Sequence, residues 1–224
     1  MIQQQLLKVL VGSHAHGLAD EESDKDYRAV YVLPTSDILS LNFKYKGNDW
    51  TEGAEDNTAY EIGHFLMLAL KCNPTILEVF KAPMMENTEE GVELRSLFPY
   101  VWNPSDAYNA FVGYGLNQRK KFLDKKDDRQ NKYACAYIRT LINLCELLET
   151  GDFSVEIKNS MDNALLRRYK KGEYTVGEVI DRAEALTKHA TYLLEKAKSA
   201  QDENKINKFL LYIRQKYWNV KGDQ

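Results

Sequence analysis

The spacing of hydrophobic positions changes character near residue 58. Before it, Leu6 to Val11 form an apolar run broken by one lysine and closed by Gly12, which predicts a buried strand delivered into a turn. Tyr27 to Leu33 concentrates β-branched and aromatic residues and stops at Pro34, predicting a second strand. Asp37 to Leu41 reads as a third, and 47–55 as a polar loop. From Thr58 the period becomes helical: Ile62, Phe65, Leu66, Ala69 and Leu70 fall on one stripe, Thr58-x-x-Glu61 supplies a capping box, and Asn73-Pro74 stops the helix.

Residues 82–105 hold three of the five prolines and mark a boundary. Beyond it every pattern is helical. Tyr108, Phe111, Val112, Leu116 and Phe122 define one stripe; Ala134, Ile138, Leu141, Ile142, Cys145 and Leu148 define another, ended by Gly151. Thr175-x-x-Glu178 opens a long helix toward Ala200, and Ile206, Phe209, Leu210, Ile213 and Tyr217 stripe a last one. The expected architecture is α+β, with a short mixed sheet flanked by helices in 1–104 and a helical domain in 105–224.

Composition narrows the class. The chain has 224 residues, 44% of them hydrophobic, with only 12 Gly and 5 Pro, so it is expected to fold rather than stay disordered. No apolar run nears the roughly 18 residues of a membrane span, and the amino terminus lacks the basic and apolar segments of a signal peptide, so a cytoplasmic location without membrane contact is expected. Cys72, Cys135 and Cys145 are not spaced as zinc or redox pairs and read as buried free thiols. The balance of 30 Lys+Arg against 33 Asp+Glu, a net charge of −3, argues against a dedicated non-specific nucleic-acid binder. Two local basic groups remain. Arg119, Lys120, Lys121, Lys125, Lys126, Arg129 and Lys132 form one, interrupted by Asp124, Asp127 and Asp128; Arg167, Arg168, Lys170 and Lys171 form the other. Either could track a phosphate backbone, and either could be a solvated helix face.

The segment from Val11 to Arg28 carries the chemistry. Asp24 and Asp26, if both enter the strand, share one face with Cα atoms about 6.5–7 Å apart. Two such carboxylates repel unless cations are present, and divalent metals remove that repulsion while serving phosphoryl transfer. Upstream, Gly12 allows close backbone approach at a strand end, and Ser13 offers a hydroxyl and an amide suited to phosphate oxygens. Arg28, on the same strand face, could neutralise a triphosphate or orient Asp26. Lys132 and Arg139, seven residues apart on one helix face, could reach across to the same phosphates.

Gly12-Ser13 with Asp24-x-Asp26 resembles the signature of the DNA polymerase β-like nucleotidyltransferase superfamily. The fuller string Gly-Ser-His-Ala-His-Gly-Leu…Ser-Asp-Lys-Asp is similar to the subgroup associated with RNA repair, the RlaP type, and Asn73-Pro74…Glu78, Gly113-Tyr114…Gln118 and Arg139…Glu146 look like its later landmarks. His16 stands where that subgroup often has an aromatic residue. The resemblance implies a nucleotidyltransferase fold in 1–104 and a third metal-binding carboxylate on a later strand. Asp56 is the first choice, ahead of Asp49, Glu52, Glu55 and Glu61. It further implies two Mg²⁺ ions, with Mn²⁺ as a substitute, a nucleoside triphosphate such as ATP as donor, and an RNA end as acceptor. A protein hydroxyl, a small molecule, or a non-catalytic nucleotide-sensing role are the alternatives.

Overall fold

The computed structural model describes residues 4–45, 48–52, 55–124 and 128–218, with the backbone alone at 48–52, 55 and 56. Strand β1 (Gln4–Val11) runs into a single helical turn, α1 (Gly12–Ala15), and a loop returns to β2 (Asp26–Val32). There follow α2 (Thr35–Ile38), β3 (Asn48–Glu52), β4 (Glu55–Glu61), α3 (Ile62–Leu70), α4 (Pro74–Lys81), β5 (Met84–Asn87) and α5 (Glu89–Ser96). The second half is helical: α6 (Pro104–Asp124), α7 (Gln130–Thr150), α8 (Ser160–Lys170), α9 (Val176–Leu194) and α10 (Glu203–Lys216).

The strands form one mixed sheet in the order β3-β4-β2-β1-β5. β2 lies at its centre, antiparallel to β1 and parallel to β4, and it is buried on both faces. Val30 and Val32 join the large core, while Ala29, Tyr31 and Leu33 pack with Ala59 on the other side. Burial on both faces is why this segment reads as a continuous apolar run. The fold class is the expected α+β.

Several local expectations are corrected. Residues 37–41 are not a strand: Pro34 sets the entry, and Leu39 N–H donates to the Thr35 carbonyl to close the turn of α2. The stretch 47–55 is not all loop, since β3 pairs antiparallel with β4 as a polar edge strand. Thr58 to Glu61 is not a capping box but the end of β4, where Asn57, Ala59 and Glu61 are buried and Thr58 and Tyr60 are half-buried in strict alternation. Glu61 is itself the N-cap of α3, accepting from Gly63 N–H at 2.7 Å. Asn73 caps a further helix, α4, with Pro74 in its first turn. α8 was not expected, and α9 stops at Leu194, short of Ala200.

One hydrophobic core runs from Leu6 to Tyr217. A chain of rings, Phe65, Phe80, Phe98, Phe153 and Phe111, crosses from the sheet-bearing half into the helical one at centroid separations of 5.1, 6.0, 5.9 and 6.3 Å. The cysteines are free, and burial pushes their thiols up to about 11 or 12.

The last helix returns to the first half. Arg214 of α10 donates to both oxygens of Glu61, at 2.6 and 2.9 Å, and Glu61 is only 1% exposed. Thr35 N–H donates to the Tyr217 carbonyl, and Lys216 pairs with Glu90. Replacing Arg214 by Met would leave the Glu61 carboxylate buried and largely uncompensated. We expect Arg214→Met to lose about 3–5 kcal/mol of stability in urea titration, the scale of breaking a buried pair from one side. A loss below about 1 kcal/mol would mean that α10 is held elsewhere.

Candidate active site

The β1–β2 register ends at Val11 opposite Asp26, which sets the Gly12-Ser13 turn directly beside the first residue of β2. Gly12 has φ +70°, and a Cβ there would lie 2.3 Å from Asp26 Oδ2, so only glycine allows this carboxylate to sit against the turn. On the opposite side, the Asn57 side chain accepts from Tyr27 N–H at 2.9 Å and pins the residue after Asp26 to β4. Asp24 lies in the exposed connection before β2, outside the strand. The shared strand face is therefore that of Asp26 and Arg28, and Asp24 stands in the loop before it.

For the third carboxylate the backbone is informative. Tyr27 pairs with Asn57, so Asp26 and Asp56 stand one residue earlier on adjacent parallel strands. The side chains of Asp56, Asp49, Glu52 and Glu55 lie outside the described residues. Glu61 is engaged at the far end of β4 by Arg214 and the Gly63 amide. Among the described residues no three His, Cys, Asp or Glu side chains gather as a metal cage. The cradle that Gly12 leaves for Asp26, with exposed Asp24 nearby, is a hard oxygen donor set of the kind Mg²⁺ takes, since it uses few carboxylates and completes its shell with water and phosphate.

Behind Asp26 sits a buried charged cluster centred on Glu78 of α4. His16 Nε2 donates to Glu78 Oε1 at 2.6 Å, and Arg139 Nη1 of α7 lies 3.7 Å from Oε2. Arg28 donates to the Tyr60 hydroxyl at 2.9 Å and adds its field to the same carboxylate. Burial alone would raise the Glu78 carboxyl, but His16, Arg139 and Arg28 outweigh it and hold it down at about 2. Burial, reinforced by Arg139, drives His16 below 6.5, so a neutral ring donating from Nε2 is the state that fits near pH 7. Arg139 and Glu78 line an open pocket with Thr75, Tyr114 and Asn143, where Asn143 Oδ1 is buried with no protein partner. Lys132, two turns earlier on α7, is exposed.

The loop between Ser13 and Asp24 is held from the helical half. Lys170 of α8 donates to the Leu18 carbonyl and to Ser23 Oγ, both at 3.0 Å, and pairs with Asp20 at 2.6 Å. Arg167 donates to the Gly17 carbonyl, and Ile157 N–H to the His16 carbonyl at 3.2 Å. From the N-terminal side, His14 Nε2 donates to the Ser23 carbonyl at 2.9 Å. Of the second basic group, then, Arg167 and Lys170 are spent on this loop and Arg168 on Glu178 and the Glu173 carbonyl.

In the sequence Glu78 stands only as a later landmark of the resemblance, and His16 only where an aromatic residue is common. A lone acid inside Ile76-Leu77-Glu78-Val79-Phe80 was the available signal, because such a position is buried whatever the helix phase.

A mixed sheet thus presents Gly12-Ser13 and Asp26 at adjacent strand ends, with Arg28 and Arg139 behind them. The chain belongs to the RlaP family, described as the RNA repair pathway DNA polymerase beta family, which matches residues 3–211. It is similar to the "Uncharacterized 38.9 kDa protein in nrdC-mobD intergenic region" of Enterobacteria phage T4, 28% identical over 134 residues that cover 52% of this chain and 38% of that one. It is also similar to YcgL of Bacillus subtilis (strain 168), 24% identical over 238 residues, covering 94% and 90%. A nucleotidyltransferase-like protein from Exiguobacterium sibiricum 255-15 aligns over 95% of this chain and 74% of its own at 9% identity, with a TM-score of 0.30 that carries no argument. No helix among the described residues is long and apolar enough to cross a membrane.

Two outcomes follow from this geometry. Because the Glu78 carboxyl titrates lower when folded than its ordinary 4.5, its stabilising contribution is complete above that value and drains away as pH falls toward 2. Wild-type stability should fall across this window while Glu78→Gln, weaker at pH 7, shows a flatter profile; parallel profiles in urea titrations would overturn the assignment. Gly12→Ala should lose about 1–2 kcal/mol for the left-handed backbone alone, read by the same titrations, and more if Asp26 cannot yield.

Proposed function

We propose that the protein is a Mg²⁺-dependent nucleotidyltransferase that moves a nucleoside monophosphate from a nucleoside triphosphate to an acceptor hydroxyl, an RNA end foremost, and releases pyrophosphate. The observation that carries this reading is the packing of Asp26 against the Gly12 turn, which joins the two halves of the motif at one strand end. Asp24 and Asp26 would hold the metal ions, with Asp56 supplying the third carboxylate by its register. Bound ions would neutralise triphosphate oxygens and favour ionisation of the acceptor hydroxyl.

The chain's own groups do the rest. Gly12 and Ser13 offer an amide and a hydroxyl to the β- and γ-phosphates. Arg28 and Arg139 bring positive charge to the same side, while Glu78 and the Tyr60 hydroxyl hold them in place. The acceptor oxygen bonds to the α-phosphorus as the bond to the pyrophosphate oxygen breaks. Positioning and charge neutralisation carry such a reaction. RNA is favoured as acceptor by the family's description and by Lys120, Lys121 and Lys132, exposed on α6 and α7.

The test is incubation with Mg²⁺ and each α-labelled nucleoside triphosphate, with and without RNA. Label should enter RNA, and Asp24→Asn and Asp26→Asn should each cut transfer by at least about 10²–10³-fold, the scale of one lost preorganised electrostatic group, with unchanged circular dichroism. Label in protein or a small molecule would reassign the acceptor. Label nowhere, or full activity in both variants, would sink the enzymatic reading.

A further inference from the structure

The loop from Ser13 to Asp24 leads into β2 at Asp26, yet Asp24 itself is exposed and lies outside the strand. Its placement is inherited from Ser23. Ser23 Oγ donates to Asp20 Oδ1 at 2.6 Å and accepts from the Asp20 amide at 3.0 Å, so residues 20–23 form one closed turn. Two side chains fasten that turn to the body of the protein. His14 holds the Ser23 carbonyl, and Lys170 reaches from α8 to Ser23 Oγ, the Asp20 carboxylate and the Leu18 carbonyl together.

We propose that Lys170 is a positioning residue that fixes Asp24 for metal binding, so that the metal site is built jointly by the strand-end motif and the helical half. This rests on the nucleotidyltransferase reading for its function but not for its geometry. A single exposed ion pair would contribute little. Lys170 differs because one ammonium meets three acceptors, Asp20 and Ser23 at the two ends of the turn and the Leu18 carbonyl before it, which uses its three donors fully. Arg167, one helical turn earlier on α8, fastens Gly17 on the same loop, so α8 acts as a two-point clamp. Outer groups that orient metal ligands commonly govern metal affinity without touching the metal.

The clamp is tested on the full chain without nucleotide. Mn²⁺ binding is followed by electron paramagnetic resonance, and cleavage by a Glu-specific protease is followed at Glu21 and Glu22. Lys170→Met should weaken Mn²⁺ binding about 10- to 100-fold, the range typical of lost outer-shell support, and should expose the loop to rapid cleavage. Lys170→Arg should recover most of both, because a cation at this place is what the turn requires. ATP affinity at saturating Mn²⁺, measured by calorimetry, should be unchanged in Lys170→Met. Wild-type Mn²⁺ affinity and wild-type protease resistance in Lys170→Met would overturn the proposal. So would a loss of ATP affinity with Mn²⁺ binding intact, since the ammonium would then be meeting phosphate. If the wild-type protein transfers no nucleotide, the proteolysis of Lys170→Met still decides whether the clamp exists.

Discussion

Glu78 is a carboxylate buried where the sheet meets the helices, and the rest of the site is arranged around making that burial tolerable. An ionised carboxylate at 7% exposure loses several kcal/mol of hydration unless charges and donors replace the water. Three separate segments supply them: the loop after α1 through His16, the central strand through Arg28, and α7 through Arg139. Each partner is thereby fixed relative to the others. Removing the acid would leave His16 and Arg139 without the partner they share, so the cluster stands or falls together.

That constraint explains why the site cannot be described from the first hundred residues alone. Arg139 comes from the helical half, as do the Ile157 amide, Arg167 and Lys170 that fasten the loop between Ser13 and Asp24. The continuous core and the return of α10 to Glu61 hold the two halves in register. Strand pairing places Asp26; contacts from α4, α7 and α8 place what surrounds it. A site whose chemistry depends on positioning needs this kind of outside support.

How much of this could be read from the residues differs by element. The strand at 27–33 was legible because both faces are buried from Ala29 onward, and that at 6–11 because Leu7, Val9 and Val11 line the core with Lys8 and Leu10 half-buried between them. Thr58 to Glu61 was misread because Thr-x-x-Glu fits a capping box and an alternating strand equally well, and parallel pairing with β2 decided between them. α8 was missed because only Leu166 and Tyr169 are buried along it, too few for a helical stripe. The motif itself was visible in Gly12, Ser13, Asp24 and Asp26, since its parts are close in sequence. Glu78 meets His16 and Arg139, and Lys170 meets Leu18, Asp20 and Ser23, only through folding, because spacing says nothing of contacts 62 or 152 residues apart.

The same distinction changes what the chain's charges mean. A formal −3 spread over a surface would oppose binding to a polyanion, but a local group of unshared cations can still attract one. Glu61 with Arg214 and Glu78 with Arg139 are paired inside the fold, while Asp20 and Lys170 pair at its surface. Of the basic group at 167–171, which in sequence suits either a phosphate backbone or a solvated helix face, Arg167 and Lys170 hold a loop and Arg168 pairs with Glu178. The cations on α6 and α7 differ: Lys120, Lys121 and Lys132 are exposed, and Lys121 lies over the Tyr133 ring at 5.5 Å. A ring and cations together suit a nucleic-acid strand better than cations alone, because stacking adds an attraction that salt does not screen. If the acceptor is RNA, it should therefore run along α6 and α7 toward Arg139, leaving α8 to its work on the loop.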